Sequence, residues 1–156
     1  MLTRLRVIVL PTCAVLGVLA AQQPVSPPDS PLATVERLFD AMRLRDTAAM
    51  RAQFDSTARL VTTGVRQGQP TLRVVPIAQW LGRVGGATQA LDERIWDPVV
   101  HVDDNLGLVW VKYEFRLGDQ FSHCGVDAFE LFKSPNGWRI FQVTDTQRRE
   151  HCWHSP

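Results

Sequence analysis

From Leu91 to about Thr146, apolar and polar residues alternate along four long stretches separated by short turn signals. Side chains along a strand point alternately to its two faces, so this segment is expected to form four strands joined by hairpins. The turns set which residues face each other. Pro135-Asn136-Gly137 reads as a three-residue loop with glycine in the left-handed position, which puts Ser134 opposite Trp138. One face then collects Phe129, Leu131, Phe141 and Val143, and the other pairs Glu130 with Gln142 and Ala128 with Thr144.

A two-residue loop at Asp104-Asn105 aligns the preceding hairpin in the same way. Trp96, Val100, Val102, Val109, Val111, Tyr113 and Phe115 share its inner face. On the outer face Glu93 meets Arg116 and Asp97 meets Lys112, two favourable cross-strand charge pairs. Ile95, Val99, Leu108 and Trp110 lie there too, with His101, which is more apolar surface than a solvated face needs. A homodimer through this outer face is one expectation, and scattered surface apolars on a monomer are the other. The Gly118-Asp119-Gln120 connection fits either two or three residues. Three residues keep Tyr113, Val111, Phe129 and Leu131 on one face, and that register is adopted.

Ahead of the strands the periodicity is helical. Ser30-Pro31 is an N-cap followed by proline at the first helical position, and Leu32, Val35, Leu38, Phe39 and Met42 recur on one side. Asp46 can cap a short second helix through Ala48, Met50 and Phe54. Extended segments follow at Arg59 to Val65 and Thr71 to Val75, separated by Arg66-Gln67-Gly68-Gln69-Pro70. Pro76 begins a third helix carrying Ile77, Trp80 and Leu81, which stops at Gly85-Gly86.

Residues 1–21 read as a cleaved signal peptide: Arg4 and Arg6, an apolar run from Val7 to Ala20, then Ala20-Ala21. Pro11 and the shortness of the run argue against a membrane span, which needs about 20 apolar residues. Residues 22–31, rich in Pro, Ser and Gln, read as a linker. Residues 32–150 form one domain, and 151–156 a tail holding His151 and His154. Cleavage leaves 15 basic residues (17 minus Arg4 and Arg6) against 16 acids, a net charge near −1. That balance gives no electrostatic case for nucleic acid or a membrane surface as partner. It also removes Cys13, leaving Cys124 and Cys152 as an even pair in an oxidising, secreted or periplasmic compartment, either bridged or as two independent thiols.

The order helix, short helix, two strands, helix, four-stranded meander resembles the nuclear transport factor 2-like superfamily over roughly Leu32 to Arg149. The likeness rests on Met42-Arg43-Leu44-Arg45-Asp46-Thr47-Ala48-Ala49-Met50, then Phe54 and Ala58-Arg59-Leu60-Val61, and on Gly137-Trp138-Arg139-Ile140. These are similar to the opening and closing segments of SnoaL-like and domain-of-unknown-function members. The resemblance implies an α+β cone, a strongly bent mixed or antiparallel sheet wrapped around three helices, with a pocket inside and frequent dimers across the outer face. Its members include ketosteroid isomerase, polyketide cyclases, scytalone dehydratase and limonene epoxide hydrolase beside domains that only bind, so the fold does not choose a function. The isomerase carries its phenolic donor on the first long helix. Here that helix presents Leu38, Phe39 and Met42, and the chain's only tyrosine is Tyr113 on a strand, which argues against that oxyanion hole.

No GxSxG, HExxH, CxxC or phosphate-loop motif occurs, and neither a metal nor a cofactor is implied. The segment His123-Cys124-Gly125-Val126-Asp127 looks like a site until alternation divides it. His123 and Asp127 point inward about 13 Å apart, and Cys124 points outward, opposite about Arg148, where the returning tail can bring Cys152. Across strands, Asp127 faces Asp145 on the inner face. Two acids so placed persist if one stays protonated, if an arginine sits between them, or if the site is wet. Protonation would make Asp127 and Asp145 a general acid/base pair in a pocket lined by Tyr113, Trp80, Phe129 and Phe141, with His123 as a rim proton shuttle. Otherwise the two aspartates sit at a solvated mouth and bind arginine or backbone groups. The expected function is binding of a small, mostly apolar ligand in a non-catalytic or accessory role, with an isomerase, dehydratase or cyclase-type acid/base enzyme as the alternative.

Overall fold

The structure, a computed structural model, describes residues 29–153. The signal-peptide segment 1–21, the linker as far as residue 28, and His154 lie outside the described residues. Helix α1 (Pro31–Leu44) starts where Ser30 Oγ accepts from the Ala33 N–H at 3.1 Å, and ends on Arg45 in the left-handed region. Asp46 then caps α2 (Thr47–Arg51), accepting from the N–H groups of Ala48 and Ala49 at 3.1 and 2.9 Å. Strands β1 (Phe54–Arg66) and β2 (Gln69–Pro76), helix α3 (Ile77–Gly85) and strands β3 (Leu91–Asp103), β4 (Leu106–Leu117), β5 (Gln120–Ser134) and β6 (Gly137–Thr146) follow. The β1–β2 connection is tighter than its five-residue turn signal suggests. Gln67 and Gly68 both take positive φ, so two residues reverse the chain and β2 begins at Gln69.

The six strands form one mixed sheet in the order β2-β1-β6-β5-β4-β3, with β1 and β6 parallel and every other pair antiparallel. Its concave face wraps around α1 and α3. Val35, Leu38, Phe39 and Met42 of α1 and Leu81 and Val84 of α3 pack there against Val109, Val111, Phe129, Leu131, Ile140 and Val143. Phe39 meets Phe129 edge-on at 5.8 Å between ring centroids, a favourable aromatic geometry.

Three one-residue bulges decide which side chains reach the interior. Ser134 pairs with Gly137 rather than Trp138, because the turn holds only Pro135 and Asn136; Phe141 is then extra, and Glu130 still faces Gln142. Likewise Leu117 pairs with Gln120 across a two-residue Gly118-Asp119 turn, and Ser122 bulges so that Phe115 faces His123 and Val111 faces Asp127. A two-residue turn plus a bulge thus gives the register that a three-residue loop would have given. The third bulge, at Asp97-Pro98, has no compensating turn. Val100 faces Val109 as expected, but beyond the bulge Trp96 pairs with Lys112 and Glu93 with Phe115, so residues 91–96 exchange faces. Ile95 turns in and Trp96 turns out. Asp97 still reaches Lys112, at 2.8 Å, while Arg116 pairs with Glu114 instead of Glu93.

Beyond β6 the chain folds back over the convex face. Cys124 and Arg148 exchange backbone hydrogen bonds at 2.9 and 3.0 Å, and Cys124 is bridged to Cys152 with α-carbons 5.8 Å apart. Trp153 stacks on the Arg148 guanidinium at 4.1 Å and lies 5.2 Å from Lys112 Nζ. Trp96, Cys124 and Val126 are therefore buried on the outer side, whereas Val99 and Trp110 stay about half exposed. His101 faces Leu108 on that side and is exposed.

Gly125 allows this return path. A Cβ there would lie 1.8 Å from the Thr146 carbonyl oxygen and 2.8 Å from Tyr113 Cε1. Tyr113, opposite Gly125 in the ladder, crosses it and donates its hydroxyl to that carbonyl at 2.9 Å. Gly125→Ala is expected to cost more than about 3 kcal/mol in denaturant unfolding, since the clash is with backbone; a loss below 1 kcal/mol would contradict the packing described. Breaking the bridge with Cys152→Ser should cost about 2–4 kcal/mol, and alkylation of the unreduced, denatured protein should label neither Cys124 nor Cys152.

Candidate functional site

The cone holds a cleft open to solvent, with a cavity volume of about 300 Å³, at the small end of the range typical of ligand sites, about 300–1,000 Å³. Leu38, Phe39 and Met42 of α1, Trp80 and Val84 of α3, and Phe129 and Val143 of the sheet form its apolar walls. Trp80 is braced edge-on against Phe54 at 5.9 Å. The polar side chains gather on strands β3 to β6: Glu93, Tyr113, His123, Asp127 and Asp145. Arg73 of β2 and Arg83 of α3, both exposed, also border the cavity.

Asp127 and Asp145 face each other across β5 and β6, as alternation predicts. Their surroundings differ from each other. Asp127 is only 3% exposed, and its Oδ2 has no hydrogen-bond partner among the described residues. Asp145 is half-buried and accepts from Gln147 Nε2 at 2.8 Å. No arginine lies between them in an ion pair: none of the ion pairs among the described residues includes Asp127, Asp145 or Glu93.

Glu93 is the partner that alternation misplaced. The Asp97-Pro98 bulge turns it inward, where its carboxyl comes within hydrogen-bonding reach of Asp127. The residue as a whole is half-buried, but its carboxyl is packed round by protein atoms. Burial, then the Asp145 and Asp92 charges, push Glu93 up to about 7, opposed by the hydrogen bond from Asp127. Burial also holds Asp127 well above the usual carboxylate range, and the Glu93 charge and hydrogen bond add to it. The two acids therefore share a proton near neutrality, with Asp127 as the donor. The clue in the sequence was Pro98: proline within a strand marks a bulge or an edge.

The remaining expected site residues divide. Tyr113 and Phe129 are almost fully buried and line the cavity, as does Trp80. The Tyr113 hydroxyl is committed to Thr146, and burial followed by the Asp127 and Glu93 charges raises its pKa above the ordinary phenol value. His123 sits at the rim, 5.6 Å from the Tyr113 ring and 5.0 Å from the Phe115 ring, with Nδ1 2.9 Å from Ser122 Oγ. Burial lowers its pKa, and the Asp145 charge opposes this. Phe141 does not line the cavity, because it is the extra residue of the β6 bulge and Ile140 takes the position facing Leu131. Glu93, Phe115, Gln147, Arg73 and Arg83 were not foreseen as cavity residues. Among the described residues no group of three or more His, Cys, Asp or Glu side chains is placed to hold a metal ion.

No family model and no curated protein matches this sequence. Solved structures do resemble it. A nuclear transport factor 2-like protein with a cystatin-like fold from Novosphingobium aromaticivorans superposes with a TM-score of 0.61 at 10% identity, covering 76% of this chain and 79% of that one. A candidate dehydratase of the nuclear transport factor 2-like family from Streptomyces avermitilis gives 0.58 at 14% identity over 75% and 92%. The β subunit of a candidate aromatic-ring-hydroxylating dioxygenase from Novosphingobium aromaticivorans gives 0.61 at 11% over 75% and 86%. At these identities the likeness is one of fold.

The Glu93–Asp127 pair has a measurable consequence. In the unfolded chain Glu93 loses its proton near 4.5, whereas in the fold it keeps it to about 7. Between those values the native state binds more protons than the unfolded one, so stability falls as pH rises; below about 4.5 the difference vanishes. Glu93→Gln should flatten this slope and, above pH 7, be more stable than the parent in denaturant titrations. Parallel pH profiles for the two proteins would show that no proton is shared.

Proposed function

We propose that this protein, which has the nuclear transport factor 2-like fold, binds a small, mostly apolar molecule inside its cone, in a non-catalytic or accessory role outside the cytoplasm. The observation carrying this reading is the cavity of about 300 Å³, whose walls are largely apolar side chains from α1, α3 and the sheet, with acidic groups from β3, β5 and β6 on one side and Arg73 and Arg83 at its border. Ligand sites have this general character: a concave, mostly apolar surface with placed polar groups. The extracytoplasmic setting is supported by the Cys124–Cys152 bridge, a bond that persists in oxidising compartments. Among the described residues no helix is long and apolar enough to cross a membrane.

A second reading is acid/base catalysis of the isomerase, dehydratase or cyclase kind. It is favoured by one observation, the buried Asp127 that shares a proton with Glu93 and faces Asp145. An acid kept protonated near neutral pH can donate to a substrate oxygen while an ionised neighbour accepts a proton. The candidate dehydratase among the similar structures lends this only the weight of a shared fold.

Native mass spectrometry of the purified protein is expected to show a co-purifying or added small molecule retained in the folded state. Widening the cavity wall by Trp80→Ala should weaken that retention. Where a substrate is found, Asp127→Asn should lower turnover by about 10²-fold or more under the catalytic reading; turnover that persists would rule out the aspartate mechanism.

A further inference from the structure

Glu93, Asp127 and Asp145 line one side of a largely apolar cavity, and none of them has an ion-pair partner among the described residues. The nearby cations have other partners or other positions. Arg43 is held by Asp40, Asp92 and the Glu93 carbonyl oxygen. Arg94 pairs with Asp92 and Lys112 with Asp97. Arg148 is stacked under Trp153 on the convex side. Arg73 Nη2 donates to Thr62 Oγ1 at 3.1 Å, and Arg83 is exposed at the cavity edge. Of the other groups near the pair, Asp92 on β3 and Asp145 on β6 add negative charge, whereas the Tyr113 phenol on β4 and His123 on β5 are held toward their neutral forms and supply no counter-charge.

Asp127 Oδ2 is the sharpest sign of something absent from the chain itself. It is a buried oxygen on a side chain lining the cavity, no N–H or hydroxyl donor of the described residues reaches it, and the polar group beside Asp127 is another acid, Glu93. Buried polar atoms in folded proteins are almost always paired, and the exceptions call for a ligand, a water or a catalytic role. Carboxylates only accept when ionised, so the group that suits several of them at once is a multiple donor with positive charge.

We propose that the molecule held in the cone is a monoamine with an apolar body, whose ammonium group is received by Glu93 and Asp127 with Asp145 completing the negative wall. This rests on the small-molecule reading of the cavity and narrows it to a chemical class. The ammonium brings its own charge, so the proton shared by Glu93 and Asp127 is released to solvent as the amine binds and both carboxylates ionise. The apolar body then lies between α1, Trp80 and Phe129. A diamine is disfavoured, because Arg73 and Arg83 border the same small cavity and would repel a second ammonium. The arginines thus contribute selectivity within the amine class.

Isothermal titration of the purified protein at pH 7 compares 2-phenylethylamine with 2-phenylethanol, probes of nearly the same shape, in two buffers of different ionisation heat. The amine is expected to bind about tenfold or more tighter than the alcohol, with net proton release, as charge-assisted bonds to ionised carboxylates require. Asp127→Asn should reduce amine affinity by a similar factor. An alcohol that binds as tightly as the amine, without proton release, overturns the amine assignment and leaves the apolar cavity as a binding site. Binding of neither overturns both. The parent-protein comparison is complete without the variant, so a variant that fails to fold does not weaken it.

Discussion

The close crossing at Gly125 organises both the back wall of this molecule and its cavity. Because no Cβ occupies the space, the Thr146 carbonyl can pass over β5 and the Tyr113 phenol can reach it. That contact sets the path of the last residues of β6, and with it the positions of Asp145 and Gln147 on the cavity side. The same path delivers Arg148 to Cys124 and Cys152 to its bridge on the convex side. A single missing side chain therefore links the cavity to the strapped outer face. The bridge adds a covalent restraint to an extension otherwise held by an isolated pair of ladder hydrogen bonds and the contacts of Trp153 with Arg148 and Lys112.

Against that scaffold the carboxyl cluster runs counter to stability. Placing Glu93, Asp127 and Asp145 together in a largely apolar setting costs desolvation and repulsion, and the fold answers by retaining a proton rather than by supplying an arginine. Replacing the acids with apolar residues of similar volume would suit the core better. Clusters of this kind characterise sites where function outweighs packing. Tyr113, by contrast, is structural in its polar end and contributes only its ring to the cavity, since its hydroxyl is committed to Thr146.

Legibility in the sequence followed the range of the forces involved. Helix starts at Ser30 and Asp46 rest on capping bonds to residues two or three positions on, and both are present as read. The meeting of Asp127 with Asp145 depends on one hairpin and was legible, although through an incorrect turn: two residues of turn and one bulge sum to the same offset as a three-residue loop. The arithmetic held at the site and failed near the turn, which is why Phe141 was placed in the cavity and is not there. Val100 and Val102 alternate correctly yet remain exposed, because no described element covers that end of the inner face.

By itself the sequence determined the order of elements, the alternating faces of β4 to β6, the bridgeable cysteine pair and the opposed aspartates. Each of these follows from period-two or period-3.6 geometry, or from contacts within one hairpin. Only the tertiary structure decided that Glu93 belongs to the site, that Trp96 leaves the interior and that a cavity remains. A bulge moves every residue beyond it to the other face, and periodicity on the far side looks the same either way. Pro98 marks where such a slip can occur; whether it does is decided by the cost of the two arrangements against β4, α1 and β5, which no local stretch of sequence contains.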